Sequence, residues 1–159
     1  MQEVTNTSKL GDILNKNGGY ITRRQVDQNG IQSWFLTDFV RKENLEKLAA
    51  GFYAKPDWIT DDFLVFQYKY PKFIFSYESA LYLLNLTDSL PQTFEVTGPK
   101  NYRPFSPKEN IAIIHTDYKK ETYELGIAEV ETNLGNKVLA YNAEKNSLRP
   151  YPPFRKNRF

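Results

Sequence analysis

Eight polar side chains between residues 23 and 47 have types and spacing suited to recognition chemistry: Arg23, Arg24, Gln32, Ser33, Thr37, Arg41, Lys42 and Lys47. A glutamine amide such as that of Gln32 can pair bidentately with adenine, and the Ser33 hydroxyl can serve either base type. Guanidinium and ammonium groups take phosphates, which suits Arg41, Lys42 and Lys47 to a nucleic-acid backbone. Arg23 and Arg24 open a short helical pattern, where the helix dipole adds to the attraction for an anion. Catalytic chemistry finds no comparable constellation. His115 is the sole histidine, and no serine, carboxylate or glycine-rich loop is spaced to build a triad or a phosphate cradle with it. At the end of a strand pattern it reads as structural. Asp61, Asp62 and Asp117 lack metal-ligand spacing and read as helix-cap and loop charges. The expectation is therefore no catalytic residue, no metal and no cofactor.

The elements that must position these residues follow from periodicity. Ser8 to Asn17 reads as a helix with Leu10, Ile13 and Leu14 on one face. Asn17-Gly18-Gly19 stops it, and Tyr20-Ile21 is a short extended piece. Thr22 is an N-cap for a second helix, Arg23 to Gln28, and Asn29-Gly30 ends that helix before an inward Ile31. A third helix runs from Gln32 to Lys42. Its Leu36, Phe39 and Val40 face the core, leaving Ser33, Trp34, Thr37, Asp38 and Arg41 outside. Trp34 and Phe35 read as core and helix-packing residues. Leu45 to Leu48 and Phe52 to Ala54 form two strands around Ala49-Ala50-Gly51, closed by Pro56. Two short helices followed by a small hairpin is the order of a winged helix-turn-helix. Its second helix would enter the major groove, N-terminal half first.

Composition bounds this reading. The chain has 159 residues, 40% hydrophobic and 15% aromatic, enough apolar material for one domain or two small ones. Cysteine is absent, which excludes disulfides and thiolate metal sites and makes a cytoplasmic setting the natural expectation. No apolar run approaches the ~20 residues of a membrane span, so no membrane partner is expected. The net charge of +2 is uneven: the stretch from Asn146 to Phe159 holds Arg149, Arg155, Lys156 and Arg158 and no acid. Residues 1 to 58 carry eight basic and seven acidic groups, so the basic character belongs to the tail and says nothing about a DNA footprint.

The rest of the chain reads as an α+β layer. Asp61 to Gln67 is a short helix, and Ser76 caps another from Tyr77 to Leu86 with Ala80, Leu81, Leu83 and Leu84 inward. Glu78 and Ser79 read as dipole and cap residues. Phe94 to Thr97 is a strand that Gly98-Pro99 turns, and Ile111 to His115 is a buried strand. Gly126 to Glu131 and Lys137 to Tyr141 form a hairpin across Asn133 to Asn136.

The segment GGYITRRQVDQNGIQSWFLTDFVRKENLEKLAAGFYAKPD resembles the N-terminal domain of the AbiEi-like antitoxins of type IV toxin–antitoxin and abortive-infection systems. FSYESALYLLNLTDSLPQTFEVTGP and LGIAEVETNLGNKVLAYNAEK resemble later stretches of that family, so the likeness runs from about Leu10 to Lys145. It implies a cytoplasmic phage-defence repressor whose winged helix binds inverted repeats of double-stranded DNA in its own promoter. It also implies a functional link to a nucleotidyltransferase-like toxin without a stable complex. After NAEK the family continues with a helix of the type T-[IV]-C-D-L-I-R, whereas this chain has NSLRPYPPFRKNRF, where Tyr151-Pro152-Pro153 excludes a helix interior. A reading one base later is compatible with T-V-C-D-L-I-R-H-S-E-K-I-D. A reading-frame slip near Lys145-Asn146 is therefore expected, leaving a disordered basic tail, a bare apolar surface on the last hairpin and doubtful antitoxic activity.

The expected organisation is a winged helix-turn-helix over residues 1–58, the first part of an α+β domain over 59–145, and an out-of-frame tail over 146–159. Two rival readings stand beside DNA repression: a protein-interaction winged helix that does not bind DNA, and a nonfunctional antitoxin remnant.

Overall fold

The computed structural model describes residues 2–106 and 109–148, and the expectations for 149–159 lie outside them. It is a mixed α+β structure with seven helices and two sheets among the described residues. The chain divides into two compact units, Met1–Lys69 and Tyr70–Phe159.

The first unit begins with α1 (Gln2–Lys16), β1 (Tyr20–Thr22), α2 (Arg23–Gln28) and α3 (Ser33–Lys42). The hairpin β2 (Glu46–Ala49) and β3 (Phe52–Ala54) follows, then α4 (Asp62–Lys69). Helix α1 starts six residues before the expected Ser8, because no proline or glycine interrupts the chain between Gln2 and Leu10. Leu10 and Leu14 on its inner face pack with Ile21, Val26, Ile31, Leu36, Phe39 and Leu45 in one apolar core. Thr22 caps α2 through a reciprocal box with Gln25: the Gln25 N–H donates to Thr22 Oγ1 at 3.3 Å, and the Thr22 N–H donates to Gln25 Oε1 at 3.0 Å. The three strands pair antiparallel in the order β1-β3-β2, so β1 closes the free side of the hairpin.

The segment after β3 folds back on this sheet. Phe52 stacks on Tyr20 at 5.1 Å and meets Tyr68 edge-on at 5.3 Å, while Trp58 packs against both Tyr20 and Phe52. This aromatic cluster carries α4 into the first unit and moves its end to Lys69 from the expected residue 58. Asp61 caps α4, accepting the Leu64 N–H at 3.4 Å.

The second unit is a five-stranded sheet with helices. Its strands are β4 (Ile74–Phe75), β5 (Phe94–Pro99), β6 (Ala112–Asp117), β7 (Ile127–Glu131) and β8 (Lys137–Tyr141), in the order β6-β5-β4-β8-β7. The sheet is mixed: β5 runs parallel to β6 and β4 parallel to β8, while β4–β5 and β7–β8 are antiparallel. The expected hairpin across Asn133 to Asn136 is the β7–β8 pair. Helices α5 (Tyr77–Leu83), α6 (Lys120–Glu124) and α7 (Ala143–Leu148) complete the unit.

Several expectations here need correction. Gly98-Pro99 continues β5 instead of turning it, paired with Thr116 and Asp117 of β6, and the Phe73 ring packs where a Cβ of Gly98 would lie. Strand β6 is an edge strand and only half-buried, with Ile113 44% exposed. Helix α5 ends three residues early, at Leu83 rather than Leu86, and Leu81 and Leu84 are only half-buried beside the fully inward Ala80 and Leu83. Ser76 makes no side-chain cap to α5; its Oγ accepts from Thr97 Oγ1 at 3.0 Å in the buried sheet. Ser79 likewise accepts the Glu95 N–H at 2.9 Å and ties α5 to β5.

Asn146 is part of the fold, although a tail was expected to begin there. Its Oδ1 accepts the Tyr77 N–H at 3.0 Å, and its Nδ2 donates to the Tyr141 and Asn142 carbonyls. Tyr77 has φ 49, the left-handed region that an aromatic side chain rarely adopts, so the Asn146 bond fixes an unusual backbone turn. Val138, Ala140 and Tyr141 of β8 are buried, and the bare apolar face expected on this strand is absent.

Candidate nucleic-acid interface

Helix α3 is amphipathic. Leu36 and Phe39 are buried, and Phe35 and Val40 pack partly against the same core. That arrangement leaves Thr37 and Arg41 exposed in line with a half-buried Ser33, at intervals of four residues along the helix. The Thr37 hydroxyl donates to the Ser33 carbonyl at 3.4 Å. Trp34, expected in the core, is 52% exposed. It lies one position outside the apolar stripe, Phe35 takes the inward place, and the indole stacks on the Phe35 ring at 3.6 Å.

Gln32 occupies the N-cap position with extended backbone, yet its side chain does not cap α3. Instead Trp34 Nε1 donates to Gln32 Oε1 at 2.8 Å. Both side chains line an open cleft of about 540 Å³ with Thr5, Asn6 and Lys9 of α1, Gly30 and Phe35. The cleft brings α1 to the N-terminal end of α3. Sequence reading missed Asn6 and Lys9; their i,i+3 spacing on an extended α1 was the only available signal.

The cations fall into separate groups. Arg41 Nη2 and Lys42 Nζ both contact Asp38, at 2.6 Å and 2.8 Å. The hydrogen bonds from Lys42 and from Arg41 hold the Asp38 carboxyl below the usual carboxylate range, so it stays ionised at neutral pH. The basic end of α3 thus carries its own counter-charge. Exposed pairs of this kind add little stability, so a phosphate can take either cation over.

Arg23 and Arg24 gather with the hairpin turn. Arg23 Nε pairs with Asp27 Oδ1 at 2.8 Å, and its backbone N–H donates to the Gly51 carbonyl at 2.7 Å. The Arg24 guanidinium lies over the Tyr68 ring at 5.3 Å, and Tyr68 Oη donates to the same Gly51 carbonyl at 3.0 Å. Burial pushes the Tyr68 hydroxyl pKa up, the nearby Arg24 charge acting against it, and keeps that donor protonated. Gly51 has φ 76, and a Cβ there would meet Tyr68 Oη at 2.9 Å and Arg23 Cβ at 3.0 Å. The expected hairpin around Ala49-Ala50-Gly51 is the β2–β3 pair, and its turn is seated on α2 and Tyr68. Lys47 stays exposed on β2, opposite Tyr53 in the ladder.

In the second unit His115 Nε2 lies 3.1 Å from Glu95 Oε2, and its ring centroid is 4.2 Å from that of Tyr77, so it joins β6 to β5 and α5. Asp117 sits 3.5 Å from Lys145 Nζ, which also donates to the Thr122 carbonyl and lies over the Tyr141 ring. Among the described residues, no cluster of three or more His, Cys, Asp or Glu side chains could hold a metal ion. No helix among them is long and apolar enough to cross a membrane.

No protein-family model matches this chain, and no curated protein matches it.

Proposed function

We propose that the chain is a DNA-binding transcriptional repressor of the AbiEi-like antitoxin type. On this reading its first unit is a winged helix-turn-helix, and its partner is duplex DNA carrying inverted repeats in its own promoter. The supporting observation is the element order α1-β1-α2-α3-β2-β3 with the sheet order β1-β3-β2, together with the exposed Thr37 and Arg41 of α3 in line with Ser33. In such a fold the second helix of the pair enters the major groove. Helix α3 would read bases through its first turns, and Arg23, Arg24, Arg41, Lys42 and Lys47 would take phosphates. The protein would be cytoplasmic, and its antitoxic role would oppose a nucleotidyltransferase-like toxin without a stable complex.

A salt-titrated mobility-shift assay with the DNA upstream of the gene, beside a random duplex of equal length, tests this reading. Preference for the upstream DNA supports it, and equal or absent binding contradicts it. The charge balance of residues 1 to 58, with Asp38 offsetting part of the positive charge at the end of α3, favours a second reading in which α3 docks a protein. That reading predicts no salt-dependent binding to either duplex. A nonfunctional remnant would also fail to rescue cells that express the neighbouring toxin.

A further inference from the structure

The cleft between α1 and the start of α3, about 540 Å³ in volume, is lined by an aromatic platform, two amides and a cation: Trp34, Asn6, Gln32 and Lys9. Small-ligand sites span ~300–1,000 Å³, so the space suits a small molecule. Trp34 is 52% exposed, yet its ring is held twice. It stacks on Phe35 at 3.6 Å, and its Nε1–H donates to Gln32 Oε1 at 2.8 Å. A planar ligand stacking on this indole orders little that is not already ordered. The Gln32 amide keeps a second lone pair on Oε1 and its amino hydrogens, and Asn6 brings a further donor and acceptor. Such amides match the mixed donors and acceptors along the edge of a heteroaromatic ring. Lys9 is exposed, and among the described residues no carboxylate pairs with it, whereas Arg23, Arg41 and Lys42 are all paired. None of the described lining residues is acidic, so nothing among them opposes an anion.

From this set we infer that the cleft binds a free nucleoside monophosphate, with its base on Trp34, its ring edge on the Asn6 and Gln32 amides and its phosphate on Lys9. One platform and one cation fit one base and one phosphate. A nucleic-acid single strand is held differently, by successive aromatic platforms along a groove of cations that tracks its backbone. The described lining offers neither a carboxylate nor an imidazole as general base, so the site holds the nucleotide without turning it over. This inference goes beyond duplex recognition and does not depend on it, because the cleft need not face DNA.

The test is titration of the full chain with AMP, GMP, CMP and UMP by calorimetry, with the indole N–H signals followed by NMR. At least one nucleotide should bind with a Kd below about 1 mM. It should move the Trp34 indole signal, recognised by its loss in Trp34→Phe, more than that of Trp58. Lys9→Ala should weaken that nucleotide about tenfold and leave the parent nucleoside unchanged, since the nucleoside has no phosphate to lose. Trp34→Ala should weaken nucleotide and nucleoside alike, by about tenfold. Lys137→Ala, which removes an exposed cation of the second unit, should change neither. Circular dichroism is expected to show the variants folded, since Lys9, Trp34 and Lys137 are exposed. If Trp34→Ala does not fold, the Lys9→Ala comparison and the wild-type indole signals decide. Four results overturn the inference: no binding of any of the nucleotides, an equal loss of nucleoside and nucleotide in Lys9→Ala, an equal effect of Lys137→Ala, or much tighter binding of a short single-stranded oligonucleotide. None of them bears on binding to the upstream duplex, so the DNA-binding reading stands or falls separately.

Discussion

Asp38 is the residue whose substitution separates the two readings of α3 most sharply. It holds Arg41 and Lys42 at 2.6 Å and 2.8 Å, and their hydrogen bonds keep it ionised. Replacing it with asparagine frees two cations without disturbing the core. The Asp38→Asn protein is expected to bind DNA more tightly at low salt, with a salt slope steeper by about 1. A quantitative shift assay at several salt concentrations measures both quantities, and an unchanged slope would mean that this end of α3 does not meet phosphates. The pH dependence has a definite sign. A carboxylate with a lowered folded pKa contributes stability above its unfolded value, about 3.9, and loses it only as pH falls through the folded value. The effect of Asp38→Asn should therefore be the same at pH 5.5 and pH 8. Arg41→Ala, Arg23→Ala and Lys47→Ala should each weaken binding and reduce the slope by about 0.9 for every phosphate left unneutralised. Arg23 and Lys47 were legible in the sequence as cations, but their settings were not. Arg23 is tethered to Asp27 and the hairpin turn, which only the folded backbone brings together.

At the scale of elements, local signals placed best those segments whose ends are set by nearest neighbours. Thr22 caps α2 as expected, and Gln25, three residues on, completes a reciprocal box with it. Leu36 and Phe39 have the helical spacing that buries them in α3. Pairings between distant segments were not legible. The fold-back of Trp58 and Tyr68 onto Phe52, the use of Ser76 and Ser79 as sheet ties and the parallel pairing of β5 with β6 all depend on tertiary partners. The hairpin turn offers a direct test of this packing. Gly51→Ala introduces a Cβ into positive φ and against Arg23 Cβ and Tyr68 Oη. It should destabilise the first unit by about 1 to 3 kcal/mol, as read by urea unfolding, and lower DNA affinity by displacing the hairpin. A wild-type midpoint would show that the turn is not seated on α2. In the second unit Lys145 is 6% exposed and paired with Asp117, so Lys145→Ala should cost about 3 kcal/mol by leaving that carboxylate without its cation.

For the whole molecule, the division into two compact units suggests separable tasks. One apolar cluster of the first unit takes its buried members from Leu10 to Leu45 and is flanked by Tyr53, and the aromatic cluster beside it ends at Tyr68. A fragment of residues 1–69 should therefore fold cooperatively and retain sequence-selective DNA binding, as circular dichroism and a shift assay would report. A fragment ending at residue 58 should be less stable, because it lacks Tyr68 and all of α4. The central claim is that the outer face of α3 recognises duplex DNA from the chain's own promoter. The most direct measurement is a salt-titrated shift assay of the full chain on that upstream duplex and on a random duplex, repeated with Arg41→Ala. The account predicts tighter binding to the upstream duplex, a linear loss of affinity with the logarithm of salt and a smaller slope in the variant. Equal affinity for both duplexes, or a slope that Arg41→Ala leaves unchanged, would contradict it.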